Sequence, residues 1–316
     1  MLLYTMKRLL QSIVTVLLVV TIVFLLLRLL PTDYYFTEEQ LIKLTDQQRH
    51  DQLAAAGLLD SPFVQLFRFY EDLANLDLGT SRRIQHGVPV TQVIGGKFLV
   101  SMRLGLISLA ISLFLGVVMG VLQARYKDKF GDHVGTAYTV FVNAVPTLIT
   151  YSLVLVLGAR LFKLPSMYSV RNVARSSILP VVCLSLTSTA GYMLWTRRYM
   201  VDELNKDYIK LARLKGLSSR KVMYRHVLRN AFVPLAQYLP YSMLLTIGGS
   251  LLVERFFSVP GMGTLLTDAI SRYDTSIVQA VVILYASLGV LGVFLGDVLM
   301  TLIDPRIRLT SKGNTR

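Results

Sequence analysis

The sequence predicts an all-α integral membrane protein with six transmembrane helices, both termini inside, a helical outer loop and a helix-bearing inner loop. Three observations carry this. Of the 316 residues 53% are hydrophobic and only 16% charged, against about 25% charged in soluble domains. The charges collect in blocks between six uncharged runs, at 9–27, 104–124, 134–159, 176–196, 230–253 and 276–296, each long enough to cross a hydrocarbon core of about 30 Å. Finally, an N-terminus inside puts 19 Lys and Arg in the inner segments and 12 in the outer ones, or 14 with Arg28 and Arg103 at the outer span ends. That asymmetry fits the positive-inside rule.

Taken in order, the first run follows Lys7 and Arg8, as a cleaved signal peptide also would. It exceeds the usual apolar core of about 7–15 residues and no small-x-small site follows, so a retained helix ending at Arg28-Leu29-Leu30-Pro31 is expected. The outer loop, 31–98, carries helix signals. Thr37-Glu38-Glu39-Gln40 fits a capping box, and Ser61-Pro62 precedes Phe63, Leu66, Phe67, Tyr70 and Leu73 at helical spacing, closed by Asp77-Leu78-Gly79. Periodicity favours a small helical cap on the membrane domain; the other reading is a docking surface for an extracellular partner.

Pro146 interrupts the third run; Pro234, Pro240 and Gly248-Gly249 interrupt the fifth. These fit bent helices around a cavity, which neighbouring helices make tolerable. Ser185, Thr187, Ser188 and Thr189 in the fourth run, and Tyr238, Tyr241, Ser242 and Thr246 in the fifth, serve either helix–helix hydrogen bonds or a substrate path. Asn143, Thr147, Ser188, Tyr241 and Thr246 are the candidate path residues. Cys183, alone in the fourth run, permits no internal disulfide and reads as a small buried apolar residue. Asp297 lies seven residues before Asp304, roughly 10 Å from the inner interface at helical rise, so packing at a helix end is favoured over proton relay.

Several functions lack their residues. There is no G-x-x-x-x-G-K-[ST] phosphate loop, so this chain is not expected to hydrolyse ATP. His50, His86, His133 and His226 have no ligand-like spacing, and no serine or cysteine sits in a nucleophile motif. No catalytic residue, metal or cofactor is expected. No filter sequence argues for a channel. The formal charge of +14 requires no nucleic acid, because anionic lipid at an inner membrane face accounts for it.

The inner loop, 197–230, holds ten basic residues against Asp202, Glu203 and Asp207, a net of +7. Asp207 is placed to cap a helix with Tyr208, Ile209 and Ala212 near one face, and Gly216 to end it in a left-handed conformation. Ser218 or Ser219 would cap a second short helix, on which Met223 and Val227 lie four residues apart. Such amphipathic helices lie on lipid or insert into a protein groove; the tight turn favours a protein.

Here the chain resembles a known family. Asp207-Tyr208, Ala212-Arg213, Lys215-Gly216-Leu217 and Arg225-His226-Val227-Leu228-Arg229-Asn230-Ala231 through Pro234 are similar to the signature loop of ABC-importer permeases of the peptide/nickel branch. Lys210-Leu211-Ala212 replaces the usual Glu-Ala-Ala. Lys7-Arg8-Leu9-Leu10-Gln11, Asp77-Leu78-Gly79-Thr80-Ser81, Val253-Glu254 with Phe257-Ser258-Val259-Pro260-Gly261-Met262-Gly263, and Asp304-Pro305-Arg306-Ile307-Arg308 extend the resemblance nearly end to end. Leu99 stands where relatives usually carry a proline, and Tyr273-Asp274-Thr275 replaces Asp-Tyr-Pro.

The resemblance implies one permease domain over 1–316, in the cell membrane. It would pair with a second homologous permease, two ATP-binding subunits and an extracytoplasmic substrate-binding protein. Asp207, Tyr208, Ala212, Lys215, Gly216, Arg225, His226, Arg229 and Asn230 would form the ATPase-coupling loop. Peptide is the implied cargo, oligopeptides before dipeptides, and the absence of histidine from the spans argues against nickel. The competing reading is a non-transporting receptor or scaffold whose basic loop binds membrane lipid.

Overall fold

A computed structural model describes residues 2–36 and 38–303. Helix α1 (Leu2–Arg28) leads into three short helices, α2 (Glu38–Lys43), α3 (Asp46–Ala55) and α4 (Pro62–Ala74). Then come α5 (Val90–Arg125), α6 (Phe130–Ala144), α7 (Thr147–Phe162), the single turn α8 (Val173–Ser176) and α9 (Ile178–Leu204). α10 (Asp207–Leu214) and α11 (Ser219–Lys221) follow; α11 continues through a π-helical turn, Val222–Val227, into α12 (Leu228–Gly248). α13 (Leu251–Phe256), α14 (Met262–Ser271) and α15 (Thr275–Ile303) complete the described chain.

The chain is an all-α membrane protein. Four helices, α1, α5, α9 and α15, are each long and apolar enough to cross a bilayer. α6 and α7 make a fifth candidate span, bent by 112° where Val145-Pro146 breaks the helix. α6 alone, 15 residues, rises only about 22 Å. α12 has a span's length but not its apolarity, because Pro234, Gln237, Tyr238, Pro240, Tyr241 and Ser242 dilute it. The fifth uncharged run is also shorter as a helix than expected, since Gly248-Gly249 ends α12 and the chain turns into α13.

α5 departs the other way. It starts at Val90, inside the stretch expected as outer loop, and runs unbroken past Leu99. Lys97 and Arg103 interrupt the apolar run, but the helix persists because Val90, Val93 and Ile94 pack on Met262, Leu265 and Ala269 of α14 and Ile277 of α15.

Small residues let the central helices touch backbone to backbone. A Cβ on Gly105 of α5 would lie 2.3 Å from the Thr246 carbonyl oxygen of α12, and one on Gly116 would lie 2.5 Å from the Tyr192 Cβ of α9. On the other side of α12, a Cβ on Gly296 of α15 would sit 2.1 Å from the Gln237 carbonyl oxygen. With little hydrophobic force between helices in lipid, such close packing is what holds them. α1 stays peripheral, its outward face apolar, and joins the bundle through α15.

One end of the bundle carries the cap, residues 31–89. α4 lies against α1: Phe69 stacks on Phe24 with centroids 5.0 Å apart, Thr21 and Tyr70 share a 2.6 Å hydrogen bond, and the Tyr70 hydroxyl donates to the Leu17 carbonyl at 3.1 Å. Ser61-Pro62 does start α4, although the Ser61 hydroxyl makes no capping bond. A complete capping box occurs at Thr45 and Gln48; the one read at 37–40 rests on Thr37, outside the described residues, as does the motif 304–308. The opposite end carries the segment that joins α9 to α12.

Candidate functional site

At that opposite end the chain forms a helical hairpin. α10 buries Ile209 and Ala212 in a cluster with Val121 and Ala124 at the end of α5, Met200 near the end of α9, and Val222, Met223 and Val227 of the π turn. Its other face is open: Lys210, Arg213 and Lys215 are exposed, and so are Leu211 (53%) and Leu214 (85%). Leu211 and Leu214 are thus left on the open face of α10, outside the buried cluster.

The turn after α10 is a Schellman motif. Leu217 N–H donates to the Ala212 carbonyl at 3.3 Å and Gly216 N–H to the Arg213 carbonyl at 2.9 Å. Gly216 has φ of +77°, which the motif requires and glycine alone adopts freely. Ser218 then caps the next helix, its Oγ accepting from Lys221 N–H at 3.4 Å.

Two details differ from expectation. Asp207 is the first residue of α10 and makes no capping bond; its charge still favours the helix N-terminus, and it pairs with Lys210 at 2.8 Å. The second helix is not short: it is the start of the element that continues to Gly248. Its π turn, closed by Leu228 N–H donating to the Met223 carbonyl, is a local widening of a kind often found at functional sites.

Three polar ties fix this end. Tyr208 donates to the Glu203 carboxylate and accepts from Asn230 Nδ2 at 2.7 Å, joining α9, α10 and α12. Burial and the neighbouring Glu203 carboxylate push the Tyr208 phenol up to about 12, so it remains a donor at neutral pH. Arg197 of α9 grips Asp132 of α6 with two bonds, at 2.6 and 2.7 Å, and Asp132 also accepts from Asp128 N–H at 3.0 Å. Asp297, buried on α15, pairs with Arg8 of α1 at 3.4 Å and accepts from Gln237 of α12 at 3.1 Å. That is the packing role its position predicted.

Of the residues assigned to the coupling loop, Tyr208, Ala212, Gly216 and Asn230 belong to this framework. Lys215, Arg225 and Arg229 are exposed and His226 half-buried. Ser218, Tyr224 and Arg225 line an open hollow of about 500 Å³ beside the hairpin, with Arg220 and Lys221. The candidate path residues are more scattered. Asn143, next to last in α6, has its Nδ2 donating to the Thr139 carbonyl at 2.7 Å, and Thr147 begins α7. Ser188 is half-buried on α9; on α12, Tyr241 packs its backbone against Gly292 and Thr246 bonds the Ser242 carbonyl at 2.6 Å. Among the described residues no hydrogen bond joins any two of the five.

Buried carboxylates at the span ends are what sequence reasoning missed. Glu254, 2% exposed, accepts from Ser101 Oγ and from Gly263 N–H, both at 2.6 Å. A Cβ on Gly249 or Gly261 would lie 2.5 Å from that carboxylate, so α5, α13 and α14 close around it. Asp274 ties the cap to α15: its Oδ2 accepts from Ser81 Oγ at 2.7 Å and from the N–H groups of Arg82, Arg83 and Ile84 at 2.9–3.1 Å. Burial pushes its carboxyl up, but these four donors outweigh that and hold it below the usual range. Both acids, like Asp132, stand just outside an uncharged run, where hydropathy alone reads them as loop.

Comparisons with known proteins identify the family. Residues 113–309 match the family described as binding-protein-dependent transport system inner membrane component. The chain is 32% identical to the dipeptide transport system permease protein DppB of Lactococcus lactis, over 97% of this chain and 99% of that protein. It is 30% identical to the oligopeptide transport system permease protein AppB of Bacillus subtilis, over 96% of this chain and 98% of that one. It is also 36% identical to the oligopeptide transport system permease protein AmiC of Streptococcus pneumoniae, over 66% of this chain but only 42% of that longer protein. The matched region takes in the hairpin and every helix from α6 onward, and the chain belongs to the family of binding-protein-dependent transport system inner membrane components.

Proposed function

We propose that this chain is the transmembrane permease subunit of an ATP-driven importer of peptides. It forms one half of the translocation path and takes its power stroke through the hairpin of α10. In this reading six segments cross the membrane, with α6–α7 as the broken third and α12 as the fifth, and both termini lie inside. The second half-path comes from a homologous permease, ATP hydrolysis from two separate subunits, and substrate from an extracytoplasmic binding protein. The whole chain, 1–316, is one permease domain.

The observation that carries the reading is α10 itself. It is keyed into the ends of α5, α9 and α12 by Ile209, Ala212 and Tyr208 while presenting Leu211 and Leu214 outward. A push on those leucines moves three long helices as a body. A lipid-anchoring loop would need neither the Schellman turn nor the tie from Tyr208. Oligopeptides are the first candidate cargo, with Asn143, Thr147, Ser188, Tyr241 and Thr246 supplying hydrogen-bond partners for peptide backbone.

Topology and cargo are each testable. Cysteine at Ser218 should react with an impermeant maleimide only from inside, and cysteine at Thr80 only from outside. The assembled complex in proteoliposomes should take up peptides with ATP, whereas the purified chain alone should show neither flux nor ATPase activity. Saturable uptake by the chain alone would overturn the reading.

A further inference from the structure

At the cap end, a cavity of about 320 Å³ opens between the ends of α1 and α15 and the cap. Arg28 from α1 and Arg82 from the cap both line it. Among the described residues neither guanidinium ion-pairs with a carboxylate; each lies instead over an aromatic ring, Arg28 over Phe24 and Arg82 over Tyr35. Asp60 also reaches the wall but is engaged by Arg68 at 2.5 Å. Two like charges therefore share a concave site in which, among the described residues, the lining carboxylate of Asp60 is already paired with Arg68.

The same wall carries two amides with unsatisfied buried atoms. Gln65, only 9% exposed, spends its Nε2 on the carbonyls of Leu58 and Asp60, at 3.0 and 2.7 Å, leaving Oε1 without a donor. The Nε2 of Gln279 on α15 is likewise buried without an acceptor. Buried polar atoms are nearly always paired, by protein, water or ligand. The cavity thus offers two guanidinium groups, with the two amides set behind its wall, and is bordered by Leu27 and Leu30, beside the exposed Leu26 of α1 and the Leu29 that follows it.

We propose that this cavity binds a phosphate-type anion. Arg28 and Arg82 hold the phosphate oxygens. Two sources share that chemistry, a glycerophospholipid headgroup and a free phosphorylated solute. The apolar border along α1 suits the lipid, whose acyl chain would follow Leu27 and Leu30 toward the bilayer.

The test is native mass spectrometry on the detergent-purified full chain. Phosphatidylglycerol is titrated in one arm and glycerol 3-phosphate in the other. The chain should retain one tight adduct, and Arg28→Gln with Arg82→Gln should weaken it about tenfold, the loss expected from removing charge-assisted bonds. Arg171→Gln, which removes an exposed charge elsewhere, should leave it unchanged, and matched elution profiles verify folding. A lipid adduct sensitive to the pair identifies the headgroup as the source. A glycerol phosphate adduct with the same sensitivity identifies the free solute. Adducts equal in the parent, the double variant and the Arg171→Gln control, or no adduct in either arm, would overturn the assignment.

Discussion

Gly216→Val isolates the contribution of the hairpin turn. No atom lies within 4 Å of where a Cβ on Gly216 would stand, so the added side chain meets open space and the effect comes from the backbone alone. At φ of +77° a β-branched residue is strained by about 1–3 kcal/mol. Relief requires the backbone to leave the left-handed region, which breaks the bonds from Leu217 N–H to Ala212 and from Gly216 N–H to Arg213. The last turn of α10 then opens and carries Leu214 out of place. The same energy corresponds to about a 5- to 150-fold loss in population of the native turn. Gly216→Asn, which tolerates the left-handed region, should fall between glycine and valine. In the assembled complex in proteoliposomes, ATP hydrolysis and peptide uptake should decline together in that order, while membrane yield holds. Lys210→Gln with Lys215→Gln should do less, because the Lys210–Asp207 pair is exposed and such pairs contribute under about 1 kcal/mol. Full activity of the valine variant, with activity lost in the glutamine pair, would refute the reasoning and favour a lipid anchor.

Arg197→Ala leaves the Asp132 carboxylate, 2% exposed, without its cation. It should destabilise the chain by about 3 kcal/mol, the low side of the range for breaking a buried pair, read as a lower midpoint in detergent-resistant thermal unfolding. Asp132→Asn in the same background should recover much of it. Asp274→Asn weakens four hydrogen bonds to the cap and should cost about 2–3 kcal/mol, seen as faster proteolysis between α4 and α5 with the rest of the chain protected. Because the folded Asp274 carboxyl lies below its ordinary value, its contribution is full above about pH 4 and is lost as pH falls through the lowered value. The cap should therefore hold at neutral pH and loosen only in strong acid.

Much of this architecture was legible because lipid imposes a simple rule: an uncharged run of sufficient length becomes a helix. The runs at 9–27, 104–124, 176–196 and 276–296 each correspond to a long helix, and Pro146 marked the bend between α6 and α7. Gly216 and Ser218 were legible for a different reason, since a left-handed turn and an N-cap are set by local chemistry. What hydropathy could not resolve lay at the membrane boundary. Helix continues through Lys97 and Arg103 because α14 and α15 pack against it, and Asp132, Glu254 and Asp274 are buried by partners 65, 153 and 193 residues away in sequence. Asp207 failed as a cap for a related reason: Lys206 already occupies the extended position ahead of the helix. The candidate path residues were chosen by polarity, and polarity does not distinguish a hydroxyl bonded to its own helix, as at Thr246, from one that faces a path.

The central claim is that α10 docks on an ATP-binding subunit, and site-directed cross-linking tests it most directly. Leu214→Cys places a thiol on the most exposed apolar position of α10, with the native Cys183 buried and silent. In the assembled complex, a short bis-maleimide should join position 214 to the ATP-binding subunit in high yield, and nucleotide should change that yield. Cysteine at Phe63, exposed on the cap helix α4, should not reach that subunit. Labelling of position 214 by lipid-phase reagents, with no cross-link to the ATP-binding subunit in any nucleotide state, would contradict the account.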